Sequence, residues 1–164
     1  MIPLFPNIGY AEISSAGTLN DAMGSAKTQL PIQFFKLTDN ISGNLTMTNE
    51  SIHKKIIIDT NGKTITNSSG SPITNNSSID VELKGSGNVQ STLKTFNTAV
   101  TSTSNTGTVT FSTSDSSTLV VASVDRAVDI SASGGVSVAS GFQGSMSGAN
   151  PFYFPITELL TLPS

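Results

Sequence analysis

Ile56-Ile57-Ile58-Asp59-Thr60-Asn61-Gly62-Lys63-Thr64-Ile65-Thr66 sets two short β-prone runs on either side of a tight polar corner. Three consecutive isoleucines, and then Ile65 between two threonines, are β-branched residues that suit a pleated, half-buried strand. Asn61-Gly62 supplies the corner, because these two residue types accept positive φ at little cost. The strands are too short to stand alone, so the reading turns on whether the pattern repeats.

It does repeat. Upstream lie Phe34–Thr38 and Leu45–Thr48; downstream lie Ile79–Lys84, Val89–Leu93, Ala99–Thr101, Thr108–Ser112, Leu119–Ala122, Ala127–Ile130 and Val136–Ala139. Their starts are about ten residues apart, with Gly, Asn, Asp or Ser in the gaps. A sandwich or barrel also gives strands at that spacing. Three features favour a β-solenoid instead. The strands are very short, the longer ones (from Ile56, Ile79, Ala99 and Leu119) recur at about twenty residues as one coil would, and the turns are of Asn-Gly or Ser-Gly-Ser type. The expected fold is therefore all-β, a short parallel β-helix of four or five coils, with a β-sandwich or jelly roll as the alternative. One segment has a helical period: in Thr18–Lys27, Leu19, Ala22, Met23 and Ala26 share a face, Thr18 can cap the start and Asp21 sits in the first turn.

Composition agrees. Ser, Thr, Asn and Gly make up close to half of the 164 residues, only 12% are charged, and Trp and Cys are absent. The lack of cysteine excludes a disulfide scaffold and cysteine metal sites. A net charge of −3 with eight Lys and Arg lacks the basic footprint of nucleic-acid binding, and no apolar run reaches the ~20 residues of a membrane span. Met1–Pro6 has no basic leader and two prolines, so no signal peptide is expected. The organisation expected is an extended arm (1–17), a β-helix domain (18–141) with its capping helix at 18–27, and a C-terminal linker and apolar tail (142–164).

Residues 18–66 resemble the N-terminal part of right-handed parallel β-helix proteins of the pectate-lyase-like superfamily. TLNDAMGSA (18–26) matches the amphipathic helix that caps the open end there, FFKLTDNISG (34–43) and NLTMTN (44–49) match the strands that follow, and IIIDTNGKTIT (56–66) is similar to a corner common in such proteins. The right hand is implied by this resemblance alone. The motif marks a fold, not an activity.

Candidate chemistry is sparse. Asp80, Glu82 and Lys84 alternate with Val81 and Leu83 and so share one strand face; paired carboxylates on such a face serve polysaccharide hydrolases and lyases of this fold. Asp125, Arg126 and Asp129 form the other charged cluster. The single His53, beside Lys54 and Lys55, reads as a solvated turn residue rather than a triad base. Six Asn-X-Ser/Thr sequons, at Asn40, Asn44, Asn49, Asn67, Asn75 and Asn76, are better explained by the polar bias than by glycosylation. No catalytic residue, metal site or cofactor is expected.

The apolar side chains gather at the ends, at Leu4, Phe5, Phe152, Tyr153, Phe154, Leu159 and Leu160. They either cap the last coil or contact another subunit, and both can hold. This character resembles tailed-phage capsid cement or decoration proteins, which implies a non-enzymatic virion structural protein, a homotrimer made in the host cytoplasm. The partner expected is the major capsid protein or another virion protein, with no nucleic acid or membrane involved. The alternative is a phage tail fibre or spike, or a carbohydrate-binding β-helix, possibly polysaccharide-degrading.

Overall fold

A computed structural model describes residues 8–17, 31–48, 54–91, 98–102, 107–113, 117–124, 126–130, 135–148, 152–153 and 160–161. The strands are β1 (Ile8–Ile13), β2 (Ile32–Leu37), β3 (Ile41–Ser42), β4 (Leu45–Thr48), β5 (Lys55–Asp59) and β6 (Lys63–Asn67). There follow β7 (Ile73–Asn76), β8 (Asp80–Lys84), β9 (Gly87–Ser91), β10 (Thr98–Ser102), β11 (Val109–Ser112) and β12 (Leu119–Ala122). The last are β13 (Arg126–Ile130), β14 (Val136–Val138), β15 (Gly144–Ser147), β16 (Phe152–Tyr153) and β17 (Leu160–Thr161).

They form three sheets: a seven-stranded one ordered β1-β2-β5-β8-β11-β14-β17, a five-stranded one ordered β3-β6-β9-β12-β15, and a five-stranded one ordered β4-β7-β10-β13-β16. From β2 onward the chain visits them in the same order on every turn. Each strand pairs with the strand one turn away, and every described pairing is parallel. This is a three-sided parallel β-solenoid. The sandwich alternative fails because sandwiches and jelly rolls pair their strands antiparallel. The expected capping helix, 18–27, lies outside the described residues.

The true repeat is longer than twenty residues. Ile56 pairs with Val81, Val81 with Val109 and Val109 with Val136. Ala99 and Leu119, which suggested the shorter period, belong to the other two sheets. Three short sides and three corners need the extra residues. The glycine-rich stretch 142–148, expected as a linker, contributes β15, paired with Leu119–Ala122. Within the expected N-terminal arm, Ile8–Ile13 joins the seven-stranded sheet beside β2.

Alternation decides what lies inside. In the seven-stranded sheet one inward column runs Phe35, Ile58, Leu83, Phe111, and another runs Ile56, Val81, Val109, Val136; all are at most 2% exposed. The second sheet adds Ile41, Ile65, Val89 and Val121, and the third adds Leu45, Ile73, Val100 and Val128, all buried. Each such side chain is worth about 1.5–3 kcal/mol of burial. At the β1 end the inward column turns polar. Gln33 is buried over Gly9, where the absence of a Cβ leaves room for its amide.

The corners stitch coils together. At 59–62, Asn61 and Gly62 take φ of 49° and 74°, and Asp59 Oδ1 accepts the Asn61 N–H at 2.9 Å. Asn61 Nδ2 donates to Leu37 O, one turn back, at 3.0 Å. Buried Thr60 reaches one turn forward, its N–H donating to Lys84 O at 2.9 Å and its hydroxyl to Lys84 O at 3.1 Å and to Ser86 O. Four residues thus join three successive coils.

Candidate functional site

The outer face of the seven-stranded sheet carries most of the chemistry that the sequence singled out. In-register stacking turns its outward residues into three columns, with rungs about 4.7–4.9 Å apart. The first reads Ile8, Ile32, Lys55, Asp80, and the second reads Tyr10, Phe34, Ile57, Glu82, Thr110, Ser137. The third reads Glu12, Lys36, Asp59, Lys84.

Asp80, Glu82 and Lys84 do share this face, as their alternation requires. Glu82, with its side chain 17% exposed, is bound on both sides. Lys55 Nζ lies 3.1 Å from Oε2, and the Ser112 hydroxyl donates to Oε1 at 2.7 Å. Burial works to raise its pKa, but the Ser112 and Lys55 hydrogen bonds and the charges of Lys55 and Lys84 outweigh it and hold the carboxyl below its usual 4.5. This arrangement favours the ionised carboxylate. Asp80 is also engaged, accepting the Thr108 N–H at 2.9 Å.

The second charged cluster is not brought to this face. Arg126 and Asp129 sit on β13 in the third sheet and pair with each other, Nη1 to Oδ2 at 2.6 Å. Asp125 and His53 lie outside the described residues, as do Leu4, Phe5, Phe154 and Leu159. Backbone register places Phe152 beside Val128, Tyr153 beside Asp129, and Leu160 beside Val136. Among the described residues no group of three or more His, Asp and Glu could hold a metal ion.

Tyr10, Phe34 and Ile57 carry a feature that sequence reading missed. Tyr10 is 60% exposed, and its ring stacks on that of Phe34 with centroids 5.8 Å apart and planes 11° apart. Lys84 Nζ lies 6.0 Å from the Phe34 centroid. Each ring turns one face toward the other. The available signal was the near-constant step from residue 10 to 34 to 57, visible only once the coil length is known.

Three sequons prove to be corner pieces. Asn67 Nδ2 donates to Ser71 O at 3.1 Å, Asn75 Nδ2 to Ile79 O at 2.9 Å, and Asn44 Nδ2 to Ser71 O at 2.5 Å. In the first two the side-chain oxygen also accepts from the serine two residues on, Ser69 or Ser77. Asn67 is 8% exposed and Asn75 0%. The amide nitrogens of these three are committed to the fold, whereas Asn40 and Asn76 are exposed.

No protein-family model, no curated protein and no solved structure matches the chain.

Proposed function

We propose that the chain is a non-enzymatic virion structural protein, a capsid cement or decoration protein of a tailed phage. In this reading it acts as a homotrimer that attaches to the major capsid protein or another virion protein. The observation that carries it is the state of Glu82. The Glu82 carboxylate, its side chain 17% exposed, is held below its usual pKa by Ser112 and Lys55 and joins neighbouring coils. Its ties to Lys55 and Ser112 on the neighbouring coils support a scaffolding role. Attachment is assigned to Leu4, Phe5, Phe152, Tyr153, Phe154, Leu159 and Leu160, whose burial against neighbouring subunits would be multiplied over many copies. The coil is assigned a right hand, the near-universal sense of crossovers between parallel strands, with residues 18–27 as a helical cap at the β1 end.

The test is the composition of purified particles. Hundreds of copies per particle are expected, and Phe154→Ser combined with Leu159→Ser should abolish attachment while the soluble protein keeps its β-rich circular dichroism. These two positions are preferred to deletion of residues 151–164, which would remove β16 and β17 from their sheets. Absence from particles overturns the reading. Asp80 and Glu82 on one face favour the glycan alternative, and cleavage or binding across a glycan panel that is lost in Asp80→Ala would establish it instead.

A further inference from the structure

We propose that two copies of the chain pack face to face through the outer face of the seven-stranded sheet. The two-fold axis relating them runs parallel to the strands and between β2 and β5. This contact goes beyond the reading above and is independent of what the chain attaches to; it would join trimers in pairs.

The warrant is the order of charges in the third column: Glu12, Lys36, Asp59, Lys84, alternating in sign along the solenoid axis. No ion pair among the described residues links these four to one another. A rotation about an axis parallel to the strands keeps each column opposite itself but reverses its order. Glu12 then meets Lys84 of the other copy, and Lys36 meets Asp59. Every charge in the column gains an opposite partner, and the symmetry forms each contact twice.

The middle column agrees. Reversal sets Phe34 over Ile57 and brings the Tyr10 hydroxyl to the ionised Glu82 carboxylate. The most exposed apolar side chains of the face, Tyr10 at 60% and Ile8 at 40%, lie within this region. In the first column Ile8 and Ile32 come over Asp80 and Lys55, each of which keeps one partner in its own chain, Thr108 and Glu82.

Other placements fit less well. Moving the axis onto β2 sets Lys36 against itself and Glu12 against Asp59. A parallel pairing, with the axis along the solenoid, also forms opposite-charge contacts, Asp59 with Lys55 and Asp80 with Lys84, but it sets Glu82 against Glu82 and Glu12 and Lys36 against isoleucines. Four strands of about five residues give a patch on the order of 300 Å² per copy. That is well below the roughly 800 Å² per partner of a stable complex. The contact is therefore weak for two free chains and gains strength where copies are held close together.

Disulfide trapping tests it, aided by the absence of native cysteine. Residues 12 and 84 are three strand spacings apart in one chain, about 14 Å, too far to bridge within it. Glu12→Cys/Lys84→Cys should oxidise to a covalent dimer closed by two symmetry-related disulfides, while either single variant stays uncrosslinked. Lys36→Asp should reduce trapping in that background several-fold. Three results overturn the proposal: no dimer from the double-cysteine variant, a ladder of higher species in place of a closed dimer, or efficient cross-linking of Phe34→Cys alone, the signature of parallel pairing.

Discussion

The two halves of the seven-stranded sheet share an interior and differ outside. Inward, Phe35 and Ile58 of the first half and Leu83 and Phe111 of the second fill one column, all fully buried. Outward, the first half presents Tyr10, Phe34 and Ile57, whereas the second presents Thr110 and Ser137. The same inward column runs beneath both exteriors. The aromatic character of the first half is thus not a demand of the inward column beneath it, since Thr110 and Ser137 occupy the same outward column farther along. With Tyr10 60% exposed, that part of the face is open to contact.

The comparison breaks most sharply inside. Phe35→Ala and Phe111→Ala should each destabilise the protein by about 3–5 kcal/mol, read as a shift of the urea midpoint. Near-equal losses are expected, and a much cheaper loss at Phe35 would show that the halves differ in the core as well. The boundary between the exteriors lies at Glu82. Its lowered pKa means that its contribution is full above the unfolded value and fades as the pH falls below about 4.5. Glu82→Gln should cost about 1 kcal/mol at pH 7 and match the parent protein once both are titrated in acid. Outside, Phe34→Thr gives the first half the character of the second. It should change stability by less than about 1 kcal/mol while weakening the pairing of copies, seen as less trapping at positions 12 and 84.

Much of the architecture was legible because alternation and corner chemistry are local. Ile56–Asp59, Thr64–Thr66 and Asn61-Gly62 stand where the sequence put them, and Asp80, Glu82 and Lys84 share the face that their spacing demands. The coil length was not legible, because strands on three sides look alike in sequence. Only pairing shows that Leu119 stacks on Gly87 rather than on Val109. Without the coil length the column Tyr10, Phe34, Ile57 is three unrelated residues. Asn67 and Asn75 were ambiguous for a related reason. A sequon and a corner bracket are written with the same letters, and burial separates them.

The stitched corner at Asp59–Gly62 has a mechanical consequence. β1 and β17 lie at opposite ends of the seven-stranded sheet, so tension between them runs along the solenoid axis, parallel to the inter-coil hydrogen bonds. Coils would peel from the ends one at a time. With a step of 25 residues from Ile56 to Val81, each release would pay out on the order of 80 Å of chain. Thr60 and Asn61 tie their coil to both neighbours through Lys84 and Leu37, so the extension trace should show its highest rupture there. The molecule would behave as a shock absorber with its stiffest link near the β1 end.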